Sequence, residues 1–234
     1  MTPERFLKIK TVLGRRQPDL TVLADGVHKS HNVSAMLRTC DAVGIHRVHA
    51  VSSGGNFRRH HMISGGSQRW VDIVVHTSSE KATSTLESQG WRLIAAHPED
   101  SAKDYRDIDY TQKVAIIFGS ELKGLAPNII KKADDVITIP TNGFVASLNV
   151  SVAAALILFE ACRQRETQGL YNQSRLSCEE FNNTLFEWSY PQIAERCRMR
   201  GQPYPTLTQD GSLKTNPFAS PEKKLLKIIT DPRA

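Results

Sequence analysis

Residues 139–160, IPTNGFVASLNVSVAAALILFE, decide the fold. They begin as the end of an apolar strand, Val136-Ile137-Thr138-Ile139, which Pro140 closes because proline has no N–H to give to a ladder. The polar loop Thr141-Asn142-Gly143 follows, and Ser147-Leu148-Asn149 then leads into a run that is apolar on every side. A helix without a polar face must be covered by protein all round or lie in lipid. The run is shorter than the twenty or so residues of a membrane span, so it reads as a buried core helix with Ser147 or Asn149 as its N-cap. Such a helix, starting beside a strand's carboxyl end, offers unpaired N–H groups where ligands settle in open α/β sheets. The plainer reading, capping residues in front of a core helix, stands beside that one.

Outward from this stretch, apolar strands alternate with helices. Strands are expected at residues 21–24, 47–51, 71–75, 92–96, 114–118 and 136–139. Asn32 reads as the N-cap of a helix carrying Val33, Met36, Leu37, Cys40 and Val43 on one face and ending at Gly44. A second helix covers residues 79–89 and stops at Gly90. This alternation implies an α/β fold, a parallel sheet covered on both faces. Residues 1–17 form a basic helix with Phe6, Ile9, Val12 and Leu13 on one side. After Gln168-Gly169 the periodicity weakens, with helices at residues 178–187, 191–200 and 221–229. There Tyr190 and Tyr204 stand among Arg196, Arg198, Arg200, Lys214, Lys223, Lys224 and Lys227, a mixture that suits RNA or, more plainly, a surface appendage.

The chain has 234 residues, 40% hydrophobic and 23% charged, with net charge +6. The excess of cations favours a polyanionic partner, nucleic acid ahead of an anionic membrane surface. No apolar leader opens the sequence and no transmembrane run interrupts it, so no membrane association is expected. Cys40, Cys162, Cys178 and Cys197 form no CxxC pair, which points to reduced thiols and a cytoplasmic protein. GxGxxG, HExxH and GxSxG are absent. Residues 119–124, GSELKG, have the glycine spacing of a P-loop, but Leu125-Ala126 stand where it requires Lys and Ser or Thr. Gly54-Gly55 and Gly65-Gly66 bracket a loop with Arg58, Arg59, His60 and His61. The pairs His28/His31, His46/His49 and His60/His61 read as solvent-facing or RNA-side residues, and no metal is expected.

Three polar islands attached to apolar structure remain: Asn32 with Arg38, residues 119–124 with Glu121, and Ser147-Leu148-Asn149. With their surroundings, NVSAMLRTCDAVG from Asn32, IFGSELKG from Ile117, and IP through SLNVSVAAA from Ile139, they resemble the SpoU/TrmH branch of the SPOUT RNA methyltransferases. RRQPDLT at residues 15–21, DIDYT at 107–111 and GQPYP at 201–205 extend the similarity toward members that methylate the ribose 2′-OH of guanosine 18 in the tRNA D-loop. Sister enzymes acting on ribosomal RNA or another tRNA position, and a non-catalytic RNA-binding protein on this fold, are the alternatives.

The resemblance implies a parallel-sheet SPOUT catalytic domain at residues 21–169 with a C-terminal trefoil knot. Residues 1–20 would be an N-terminal helical extension and residues 170–234 a C-terminal, tRNA-binding helical extension. It also implies a homodimer and an S-adenosyl-L-methionine pocket. By the same carry-over Arg38, Asn32, Glu121 and Asn149 serve catalysis, and Ala96, Gly119, Ile139, Ser147 and Leu148 hold the cofactor. Arginine is an awkward base: neutralising it at pH 7 would cost about 7 kcal/mol. Arg38 is therefore expected to orient ribose and phosphate and to stabilise negative charge developing on the oxygen.

Overall fold

The computed structural model describes residues 1–27, 29–52, 69–121, 123–215 and 218. Expectations for His28, the loop bearing Arg58 to His61, Leu122, and the helix at 221–229 with its lysines lie outside the described residues.

The chain divides into two compact units, Arg15–Leu176 and Met1–Gly14 together with Ser177–Ala234. The first holds a wholly parallel sheet of β1 (Leu20–Asp25), β2 (Arg47–Val51), β3 (Asp72–His76), β4 (Arg92–Ala96), β5 (Lys103–Asp104), β6 (Val114–Phe118) and β7 (Asp135–Thr138). Their order across the sheet is β3-β2-β1-β6-β4-β7-β5. Alternation of side chains sorts the central strands into two cores. Leu20, Val22, Ala24, Ile94, Ile116 and Phe118 face one side, toward α2 (Ser30–Ala42) and α5 (Val150–Thr167). Leu23, Leu93, Ala95, Ala115 and Ile117 face the other, toward α3 (Ser79–Ser88) and α4 (Pro127–Lys132). A parallel sheet buried on both faces needs such continuous apolar strands.

Two short elements, β5 and α4, escape periodicity because neither is long enough to display a period. The seventh strand begins one residue earlier than its apolar run suggested. Asp135 is 5% exposed there, and Arg92 and Lys103 pair with its carboxylate. A charge neutralised by two cations can occupy a strand position that hydropathy would refuse it.

Helix α5 corrects the expectation of all-round burial. Val150, Ala154, Ile157, Leu158, Ala161 and Arg165 are buried, a stripe at helical spacing. Val152, Leu156 and Phe159 on the opposite side are 47%, 40% and 55% exposed. Its N-cap is Asn149, whose side chain accepts from the Ser151 N–H.

At the amino ends of the strands lies a polar clamp centred on Arg165. Arg165, fully buried, donates from Nε to Tyr110 O at 2.8 Å, and from Nη1 to Gln17 Oε1 at 3.0 Å and Asp19 Oδ1 at 2.7 Å. Its Nη2 reaches Asp19 O at 3.1 Å and Gln112 O at 2.7 Å. All five guanidinium N–H groups thus find acceptors. Arg175 pairs with the same Asp19, and buried Arg16 with Asp41 at 2.5 Å. The RRQPDLT segment is thereby tied to the far end of α5.

The second unit packs α1 (Pro3–Gly14) against α6 (Cys178–Ser189), and α6 against α7 (Pro191–Met199). Gly211, at φ +82°, lies so close to Phe6 that an added Cβ would stand 2.3 Å from the ring. Tyr190 donates to Gly211 O at 2.8 Å, and Tyr204 stacks on Phe186 at 4.9 Å between centroids. Both tyrosines marked as RNA-side candidates are therefore engaged in packing.

Candidate active site

Parallel strands bring their carboxyl ends to one rim. Ala96 pairs in register with Phe118 and with Ile137. Above these ends opens a cavity of about 550 Å³, a volume within the range of small-molecule sites. Its apolar wall is Ala96, Phe118, Ile137, Ile139, Leu148, Val150 and Ile157, and its polar groups include Lys29, His97, Ser120, Glu121, Lys123, Ser147 and Asn149.

The loop after β6 is closed on itself. Ser120 N–H donates to Gly124 O at 3.2 Å, Gly124 N–H to Ser120 O at 2.9 Å, and Lys123 N–H to Ser120 Oγ at 3.1 Å. A Cβ on Gly119 would stand 2.4 Å from the Gly124 carbonyl, so only glycine lets this turn close. The turn holds Glu121 over α2.

Asn32 corrects its expected role as N-cap. Helix α2 begins at Ser30, Lys29 occupies the cap position without a side-chain bond, and Asn32 lies in the first turn. Its side chain is 2% exposed and works across elements. Asn32 Nδ2 donates to Glu121 Oε1, and Asn149 Nδ2 donates to Asn32 Oδ1 at 3.3 Å. Asn149 Oδ1 is held in turn by the Ser151 N–H at 2.9 Å and Oγ at 2.7 Å. Each amide has its carbonyl occupied and its NH₂ aimed onward, so the row runs in one direction from the α5 cap to the carboxylate. Burial opposes ionisation of Glu121, yet its own backbone N–H, the Asn32 amide, Lys29 and His31 outweigh that and hold the carboxyl below its ordinary range.

Of the nine expected site residues, Ala96, Gly119, Glu121, Ile139, Ser147, Leu148 and Asn149 line the cavity, and Asn32 joins them through Glu121 and Asn149. Arg38 does not. It is exposed on α2, outside this lining, with no hydrogen bond or ion pair to a described residue. Sequence reasoning missed Lys29, His97 and Lys123. His97 was findable, since it directly follows the last residue of a central strand. Lys29 carried no local signal, because only the fold brings it to Glu121.

The expectation that His46 and His49 face solvent is also overturned. Both are 5% exposed, and His49 Nδ1 lies 2.8 Å from His76 Nε2. Burial first, then the neighbouring His76 and Arg47, push His49 down to about 4. Among the described residues no three His, Cys, Asp or Glu side chains are grouped to hold a metal ion. The four cysteines are free thiols, and no described helix is long and apolar enough to cross a membrane.

Comparison with known proteins adds to this geometry. Residues 19–159 match the model of the SpoU rRNA Methylase family, and residues 163–216 match that of the SpoU rRNA methylase C-terminal region. The chain is 44% identical over 218 residues, 92% of its own length and 95% of the relative's, to a tRNA (guanosine(18)-2′-O)-methyltransferase of Escherichia coli. Among solved structures it resembles a TrmH/SpoU tRNA modifying enzyme of A. aeolicus, with TM-score 0.74 and 36% identity over 81% of this chain and 97% of that one. It also resembles an AdoMet-bound rRNA methyltransferase of Sinorhizobium meliloti, with TM-score 0.57 and 27% identity over 66% of this chain and 59% of that one.

Proposed function

Since the chain belongs to the SpoU methylase family, we propose that it methylates the ribose 2′-hydroxyl of guanosine 18 in the D-loop of tRNA. The observation that carries this reading is the extent of the similarity. The tRNA-directed relative matches 92% of the chain, whereas the rRNA-directed structure covers 66%.

S-adenosyl-L-methionine, when bound, supplies an electrophilic methyl group on a cationic sulfur, and its transfer to the 2′-oxygen releases the hydroxyl proton. The cavity suits that group: apolar walls for the adenosine, and an ionised Glu121 where positive charge is to be held. Ala96, Gly119, Ile139, Ser147 and Leu148 would hold it. Asn149 and Asn32 fix the carboxylate so that little reorganisation accompanies reaction. Arg38 would bind the ribose-phosphate and stabilise the oxygen as it loses its proton.

Arg38 does not line the cavity of its own chain, and the exposed stripe Val152, Leu156, Phe159 lies on the helix packed beside α2. Both features support a homodimer in which that stripe is covered and Arg38 serves the neighbour's cavity. A monomer by light scattering would remove this part. Residues 15–176 form the methyl-transferring unit in this reading, and the unit built from both termini contacts tRNA phosphates in the cytoplasm.

The deciding experiment is transfer of radiolabelled methyl to unmodified tRNA, followed by mapping of the labelled nucleotide. Label at guanosine 18 is expected. Label confined to another tRNA position or to ribosomal RNA would displace this reading in favour of a sister specificity.

A further inference from the structure

We infer that Phe144 is a base-stacking residue, the ring on which the nucleobase of the target nucleoside rests while its ribose is held at the cavity. The inference depends on the methyl-transfer reading above and adds a residue which that reading leaves unused. Phe144 is 111% exposed, so no described residue covers its ring. The turn that carries it is braced, with Thr141 Oγ1 donating to Val145 O at 3.2 Å. Ile139 before it and Ala146 after it both line the cavity. Two residues of chain span at most about 7 Å, which sets Phe144 at the rim.

A ribose whose 2′-oxygen enters the cavity carries its base with it, and that base must come to rest near the same rim. Lys29 and Lys123 on the cavity wall suit the flanking phosphates but offer no flat apolar face. Phe118, the phenylalanine of the lining, is 2% exposed and closed to a base. Phe144 supplies the missing face. Phe159, the other exposed phenylalanine among the described residues, falls on the helical stripe with Val152 and Leu156. Phe144 stands apart from that stripe, in a turn whose residues Thr141, Asn142 and Gly143 are exposed. A nucleobase is thus a better occupant for it than a second copy of the chain. Every base has a π-face, so this contact holds the nucleoside without reading it as guanine.

The test uses the full-length protein and an unmodified tRNA transcript. Because Phe144 is fully exposed, Phe144→Ala leaves no void and should fold with an unchanged melting midpoint. The KM for tRNA should rise roughly 5- to 100-fold. S-adenosyl-L-methionine affinity by calorimetry and oligomeric state by sedimentation should not change, and Phe144→Trp should restore the KM. The inference is overturned by a tRNA KM within about twofold of wild type, by failure of tryptophan to rescue, or by a parallel shift in cofactor affinity or oligomeric state. Absence of methyl transfer by the wild-type protein would instead remove the underlying reading, and this inference with it.

Discussion

The two ends of the sheet treat polar groups in opposite ways. At the amino ends, Arg165 is fully buried and every guanidinium hydrogen has an acceptor. At the carboxyl ends, Lys29, Glu121 and Lys123 line an open cavity. Satisfied polar groups hold a structure together, whereas groups left short of partners can exchange solvent for ligand. The difference separates the part of the molecule that maintains the fold from the part available for chemistry.

The largest test of that contrast is Arg165→Met. It strips the Tyr110 and Gln112 carbonyls, Gln17 Oε1 and one side of Asp19 of their Arg165 donors inside the protein, so a loss of about 3–5 kcal/mol is expected in urea unfolding. A loss below about 1 kcal/mol would erase the distinction from the clamp side.

An intermediate effect is expected at the sheet's flank, where His49 and His76 meet. His49 is depressed from 6.5 to about 4, so between those values the unfolded chain binds the extra proton. Stability should therefore rise with pH across that window, and fall by up to about 3 kcal/mol on acidification through it. Denaturant melts from pH 4 to 7 on wild type and His49→Gln should show the steeper slope in wild type. Equal slopes would mean that the pair does not carry the dependence.

The smallest stability effect belongs to Glu121→Gln, within about 0.5 kcal/mol of wild type. Methyl transfer should nonetheless fall on the order of 100-fold. A destabilisation as large as that of Arg165→Met would show that the carboxylate belongs to the scaffold.

What the sequence disclosed follows the same division. The central strands were legible because burial on both faces leaves uninterrupted runs such as Val114 to Phe118. The polar islands were legible because each interrupts apolar structure. Asn32 bonds to two cavity residues, Glu121 and Asn149, but its local job differs from the expected one, since an asparagine ahead of an apolar series looks like a cap whether or not its side chain turns inward. Arg165 was invisible as a clamp residue because its acceptors come from segments scattered between Gln17 and Gln112. The exposed stripe of α5 was hidden by a sequence apolar all round, which does not say which side the sheet takes. Lys29 approaches the cavity only through tertiary placement, whereas Lys123 sits within the 119–124 island itself.

The pairing of α1 with α6 has a consequence for how the protein is made. Helix α1 finds its partner only after the whole of β1 to α5 has been synthesised, roughly ten to thirty seconds later at ordinary elongation rates. During that interval Phe6, Ile9 and Leu13 have no α6 to shelter them. The nascent α1 is thus a natural place for a chaperone to wait.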